Sequence, residues 1–181
     1  MTLLIAGLLL WSGAHLLKRL APETRARLGG TGKAGIAILL AISVVTMVLG
    51  HRAAPFVPVW EPPAFLSHLN NLLVVVAFWL FFVGRTRGTM AARIRHPQLT
   101  AVKTWAVAHL LVNGDAASLV LFGGLLAWAV VEVIVINRSQ PWDRPRDVSV
   151  RGDLVAAGIG LVAFGIAAAI HVWLGVNPFG G

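Results

Sequence analysis

Apolar residues run through this chain in blocks, and polar or basic residues interrupt them at short intervals. Six apolar segments can be marked, at residues 3–17, 34–49, 65–83, 99–112, 118–136 and 154–176. Each lies near the ~20 residues an α-helix needs to cross a bilayer, though several fall at or below it. The fourth is the shortest, and local thinning or a tight hairpin with the fifth would accommodate it. Helix stops accompany the blocks: Lys18-Arg19 after the first, Gly50 after the second, Gly84 after the third and Asn177-Pro178 after the sixth. The pattern predicts an all-α, polytopic transmembrane helix bundle of about six helices in a single domain spanning residues 1–181.

Composition agrees. The chain is 57% hydrophobic and 12% charged, whereas a soluble domain carries about 25% charged residues. A net charge of +8 could suggest nucleic acid, but the positive residues flank apolar runs, as topology signals do. No nucleic-acid partner is expected; the lipid bilayer is. The absence of cysteine excludes disulfides, iron–sulfur clusters and thiolate nucleophiles. The first run has neither a positive n-region nor a small-residue cleavage site before Lys18. It reads as a retained helix rather than a signal peptide.

Loop charge sets the expected orientation. Lys18, Arg19, Arg25, Arg27 and Lys33 lie in the first loop, Arg85, Arg87, Arg93 and Arg95 in the third, and Arg138, Arg144, Arg146 and Arg151 in the fifth. The second loop has Arg52, and the turn at residues 113–115 has no Lys or Arg. The odd loops therefore face the cytoplasm and both termini lie outside. Ala156 and Gly160 form a small-xxx-small pair continued by Gly165, which favours close helix packing in lipid. Trp60, Trp142 and Trp173 fall near the expected interfaces.

The chemistry concentrates in residues 93–115. This stretch starts with Arg93 and Arg95, enters a helix at Pro97, carries His109 deep within it and stops at Asn113-Gly114. Asn-Gly is expected to supply a left-handed stop, and Asp115 to cap the next helix. Helical spacing places Gln98, Trp105, His109 and Asn113 on one face, and Leu8, Trp11, His15 and Lys18 on one face of the first helix. His68, Asn71, Val75 and Trp79 align on the third. Gly160, Phe164, Ala167 and His171 align on the sixth, a face able to accept a flat macrocycle. His51 and His68 read as interfacial side chains, and His171 is open to either reading. His15 and His109 lie too far from a helix end for simple snorkelling, which favours a function. Neutral imidazole ligates iron well. Zinc is disfavoured, because no His-x-x-His or His-x-x-x-His spacing exists and a zinc site needs three or four converging ligands. Glu132 is the acid inside an apolar run. Lys103, at a comparable depth, is its expected ion-pair partner or, alternatively, Glu132 is a functional acid.

These residues resemble a known family. Arg95-His96-Pro97-Gln98, then Trp105-Ala106-Val107-Ala108-His109, then Asn113-Gly114-Asp115, with a histidine late in the first helix, look like the NnrU family of bacterial membrane proteins. That family is similar to 15-cis-zeta-carotene isomerase, and the resemblance covers nearly the whole chain. It implies a multi-pass protein of the bacterial inner membrane, associated with denitrification and nitric oxide metabolism. The isomerase is a haem b enzyme acting on a double bond when its iron is reduced. The resemblance carries its proposed axial histidines onto His15 and His109, and a further one onto His51. The isomerase has a cysteine where this chain has Ala106, so ligand switching there is lost. A weaker resemblance, Arg-His-Pro opening a late helix, is to isoprenylcysteine methyltransferases. It would assign Arg95, His96 and Glu132 to S-adenosylmethionine, but the paired glutamates are absent because Val133 follows Glu132.

Three readings stay open at this point. One is a haem b protein, with His15 and His109 on iron, Arg95 and His96 as further cofactor contacts, and a lipophilic small molecule as substrate. A second is a methyltransferase-like enzyme, and a third is a non-enzymatic accessory protein of nitrogen-oxide respiration with an unknown protein partner. The catalytic residues stay unknown. Counted from their cytoplasmic ends, His15 and His109 differ by about seven residues, roughly 10 Å of helical rise. His171 or His68 would match the depth of His109 better.

Overall fold

The computed structural model describes residues 1–179. Among the described residues seven α-helices follow one another: α1 (Thr2–Leu20), α2 (Pro22–Arg27), α3 (Gly29–Arg52), α4 (Leu66–Val83), α5 (Pro97–Val112), α6 (Ala116–Ser139) and α7 (Val150–Trp173). A 3₁₀ turn, Thr89–Ala92, lies between α4 and α5, and among the described residues no strand forms. The helices α1, α3, α4, α6 and α7 are long and apolar enough to cross a membrane. Each of the six expected segments coincides with a helix, the sixth running three residues past the end of α7 and the third starting one residue before α4. The seventh, α2, arises in the expected first loop. Pro22 at its first turn and the Glu23–Arg27 pair one turn apart favour a helix where only charge was legible.

The chain gathers into two compact units. The first comprises Met1–Trp60 and Asp115–Gln140, and the second Glu61–Gly114 and the chain from Pro141 onward.

In the first unit α1 packs on α3 and on α6. Small residues permit the approach of α3: a Cβ on Gly7 would meet the Met47 amide nitrogen at 2.8 Å, and one on Gly50 would meet Leu4 Cα at 2.7 Å. The pairing of early α1 with late α3 makes these helices antiparallel. Leu8 meets Gly124, and Trp11 and His15 meet Trp128, so α1 and α6 run in the same direction. These directions suit a chain that crosses the bilayer back and forth. The unit thereby collects Lys18, Arg19 and Arg138 at one end, and His51 and Asp115 at the other.

In the second unit α4 packs on α5 and on α7. Ala156 is fully buried with Val83 and Ala91, and a Cβ on Gly160 would meet the backbone of Phe78 and Trp79 at 3.1 Å. The expected small-residue face on the last helix is thus its contact with α4. Gly165 does not continue it, because its Cβ position meets nothing within 4 Å. The Ala156–Gly160 spacing holds one helix face, and Gly165 lies five residues on, off that stripe.

Candidate functional site

Polar contacts fix one end of the α4–α7 packing. At the basic end, the Asp153 carboxylate accepts hydrogen bonds from the Thr89 amide (2.9 Å) and hydroxyl (2.5 Å). The Ser149 amide donates to the Arg87 carbonyl at 2.9 Å, Trp79 Nε1 donates to the Asp153 carbonyl at 3.2 Å, and Arg87 pairs with Asp147. The loop bearing Arg85, Arg87, Arg93 and Arg95 is therefore clamped to the start of α7. The clamp was not foreseen from sequence, since Asp153 carries no local signal for a partner 64 residues away.

The clamp leads into α5. His96 is its N-cap residue and Pro97 occupies its first turn, as expected. Arg95 and His96 are both partly buried at the foot of the helix that carries His109. The helix ends differently from expectation. Asn113 has φ −118°, and neither Asn113 nor Gly114 is among the positive-φ residues. The Asn113 side chain closes α5 instead, its Nδ2 donating to the His109 carbonyl at 2.8 Å. The side chain fills the role a left-handed glycine would have taken.

Asp115 does cap α6, accepting from the Ser118 amide at 3.0 Å. Burial alone would raise its carboxyl, but hydrogen bonds from the Ser118 hydroxyl and amide, the nearby His51 and the Ala117 amide outweigh it and hold Asp115 below the ordinary range. Ser118, 1% exposed, also contacts His51 Nε2 at 3.2 Å. His51 is thus partnered within its unit rather than simply interfacial. This role was missed, because its partner lies 67 residues away.

His15 and His109 share a local geometry. His15 Nδ1 lies 3.0 Å from the Trp11 carbonyl, and His109 Nδ1 lies 2.9 Å from the Trp105 carbonyl. A carbonyl only accepts, so in each ring Nδ1 carries the proton and Nε2 holds the lone pair. Each imidazole also packs on the indole of the same tryptophan, with centroids 4.2 Å and 4.8 Å apart. Helical spacing foretold both Trp–His pairings. It did not foretell Trp128, whose ring lies 4.7 Å from His15 and 5.3 Å from Trp11. His15 and His109 belong to different units, as do Arg95 and Glu132. His171 makes the same Nδ1 contact, to the Ala167 carbonyl at 2.7 Å, but is exposed. It lies within electrostatic reach of His109 in the second unit.

The expected ion-pair partner of Glu132 is Lys103. Glu132 Oε2 is buried with no hydrogen-bond partner. Glu132 belongs to the first unit and Lys103 to the second; the cation felt by Glu132 is Arg19 of α1. Among the described residues no group of three His, Asp or Glu side chains gathers to hold a bare metal ion. An apolar groove of about 270 Å³ lies in the second unit, lined by Val75, Val76, Trp79, Ala157 and Leu161.

The family model for NnrU protein matches residues 3–178. The chain belongs to the NnrU family. No curated protein and no solved structure matches it. This NnrU chain is an integral membrane protein by its apolar helices, and the family match takes in α1 through α7, with both Trp–His pairs.

Proposed function

We propose that this NnrU protein binds haem b in the bacterial inner membrane, where His15 and His109 would hold the iron. Its role is then redox-gated, either isomerase-like chemistry on a lipophilic polyene or a part in nitric oxide metabolism. The observation that carries the reading is the shared Nδ1–carbonyl contact of His15 and His109. Iron-ligating histidines commonly donate their other ring N–H to a backbone carbonyl, which fixes the tautomer and makes Nε2 the more basic donor. Two such imidazoles, with no cysteine in the chain, form a donor set suited to haem iron.

The iron would supply a Lewis acid whose strength depends on its redox state. The protein's own residues have simpler tasks. The carbonyls of Trp11 and Trp105 hold a proton on each Nδ1, and the two indoles restrain rotation of the rings. Arg95 and His96 supply cationic and imidazole groups suited to carboxylates of a cofactor. The groove along Val75, Trp79 and Leu161 has the apolar character a hydrocarbon chain requires.

The test is the visible spectrum of single-histidine variants purified from haem-replete cells. His15→Ala and His109→Ala should each lose the bis-histidine spectrum, and His171→Ala should retain it. Loss with His171→Ala and retention with His15→Ala would move the second ligand to His171. A full spectrum in every variant would remove histidine ligation altogether.

A further inference from the structure

The contact between α1 and α6 holds a cluster of polar atoms that no protein group satisfies. Trp128 and Glu132 are only 6% and 8% exposed. Trp128 Nε1, Trp11 Nε1 and Glu132 Oε2 are all buried without a hydrogen-bond partner. They lie on one seam. The Trp11 and Trp128 rings meet edge to face at 5.3 Å, and Glu132 stands one turn beyond Trp128 on the same face of α6. The bland alternative, a tolerated misfit of core packing, has to leave three strong polar groups unsatisfied at one place in an apolar medium. Each such group costs on the order of 1–3 kcal/mol.

The chemistry of the set selects its ligand. Two indole N–H groups can only donate, and they require an atom with two lone pairs. The carboxylate oxygen can accept a proton donor. A hydroxyl oxygen meets all three demands, accepting from both indoles and donating its own hydrogen to Glu132. The rings of Trp11, His15 and Trp128 pack with centroids 4.2–5.3 Å apart, so the three polar atoms lie along one α1–α6 seam beside His15. We propose that Trp11, Trp128 and Glu132 form a binding site for a hydroxyl oxygen beside His15. Its source is either water or the hydroxyl of a lipophilic alcohol from the bilayer. Buried waters typically make two to four such bonds, and an alcohol would use the same three. The proposal employs none of the atoms assigned to iron, so it stands or falls apart from the haem reading.

Indole N–H hydrogen bonding is read directly by ultraviolet resonance Raman spectroscopy of the full chain in lipid nanodiscs. Subtracting the spectra of Trp11→Phe and Trp128→Phe from wild type isolates the band of each indole. Both should lie at the hydrogen-bonded position, and Glu132→Leu should shift both toward the free-indole position. Should Glu132→Leu not fold, Glu132→Gln, which keeps the side-chain shape, should still shift them. Bands at the free-indole position in wild type, or bands unmoved by either Glu132 variant, overturn the proposal. Dodecanol then separates the sources. A saturable shift assigns a lipophilic alcohol, and no response with the hydrogen-bonded bands retained assigns water.

Discussion

The carbonyl oxygen of Trp11 lies 3.0 Å from His15 Nδ1, and the indole of the same residue packs on the imidazole. One tryptophan thus fixes both the tautomer and the tilt of a histidine four residues later. Nitrogen NMR of haem-free protein labelled at histidine should show His15 as the Nδ1-protonated neutral tautomer. Trp11→Ala should keep that tautomer, since the carbonyl is backbone, while broadening the ring signals. An Nε2-protonated His15 in wild type would contradict the assignment.

The helical glycines separate into those that allow packing, such as Gly50 of the first unit, and those that face open space, such as Gly158 and Gly165 of the second. Gly50→Ala puts a Cβ into the Leu4 backbone, and overpacking of this kind typically costs about 1–3 kcal/mol. Gly158 and Gly165 meet nothing within 4 Å. Alanine there should be neutral or stabilising by up to ~1 kcal/mol, the helix-propensity gain. Unfolding in detergent should rank Gly50→Ala well below Gly158→Ala; equal stability would mean that α1 and α3 do not approach this closely.

Asp115 gives a pH-dependent term. Its folded carboxyl lies below the ordinary value, so its contribution is fully present above the unfolded value of about 4. That contribution fades as pH falls through the folded value. Asp115→Ala should cost about 1 kcal/mol at neutral pH, the usual worth of such a cap, and the gap to wild type should narrow on acidification. Asp115→Asn should retain most of the cap with less pH dependence. Unfolding midpoints across the acid range check this, and a gap that widens as pH falls would contradict it.

Orientation follows from charge alone. The basic loops should face the cytoplasm, so a periplasm-active reporter at the C-terminus should work and a cytoplasm-active one should be silent. The reverse pattern would reject the termini-out topology.

Much of the fold was legible because α1, α3, α4, α6 and α7 announce themselves by apolar runs near bilayer length, and that signal is local. The starts of α5 and α6 were legible too, since Pro97 and Asp115 act within a few residues of their position. The end of α5 was misjudged: Asn113 stops it through its side chain, a choice that Asn-Gly leaves open. Depth pointed to Lys103 as the partner of Glu132, but depth alone does not say to which unit each residue belongs. The Asp153 clamp, the His51–Ser118 contact and the place of Trp128 beside His15 all join residues more than 60 positions apart. Such pairings are set by packing of helices, which periodicity within one helix does not encode.

Haem binding is the central claim, and the reduced-minus-oxidised visible spectrum of the full chain tests it most directly. Protein purified in detergent from haem-replete cells should show a Soret band with constant haem per chain between preparations. Dithionite should sharpen its visible bands, as a six-coordinate bis-histidine site requires. A protein that stays colourless after reconstitution with haem, or whose haem content varies from one preparation to the next, would contradict the account.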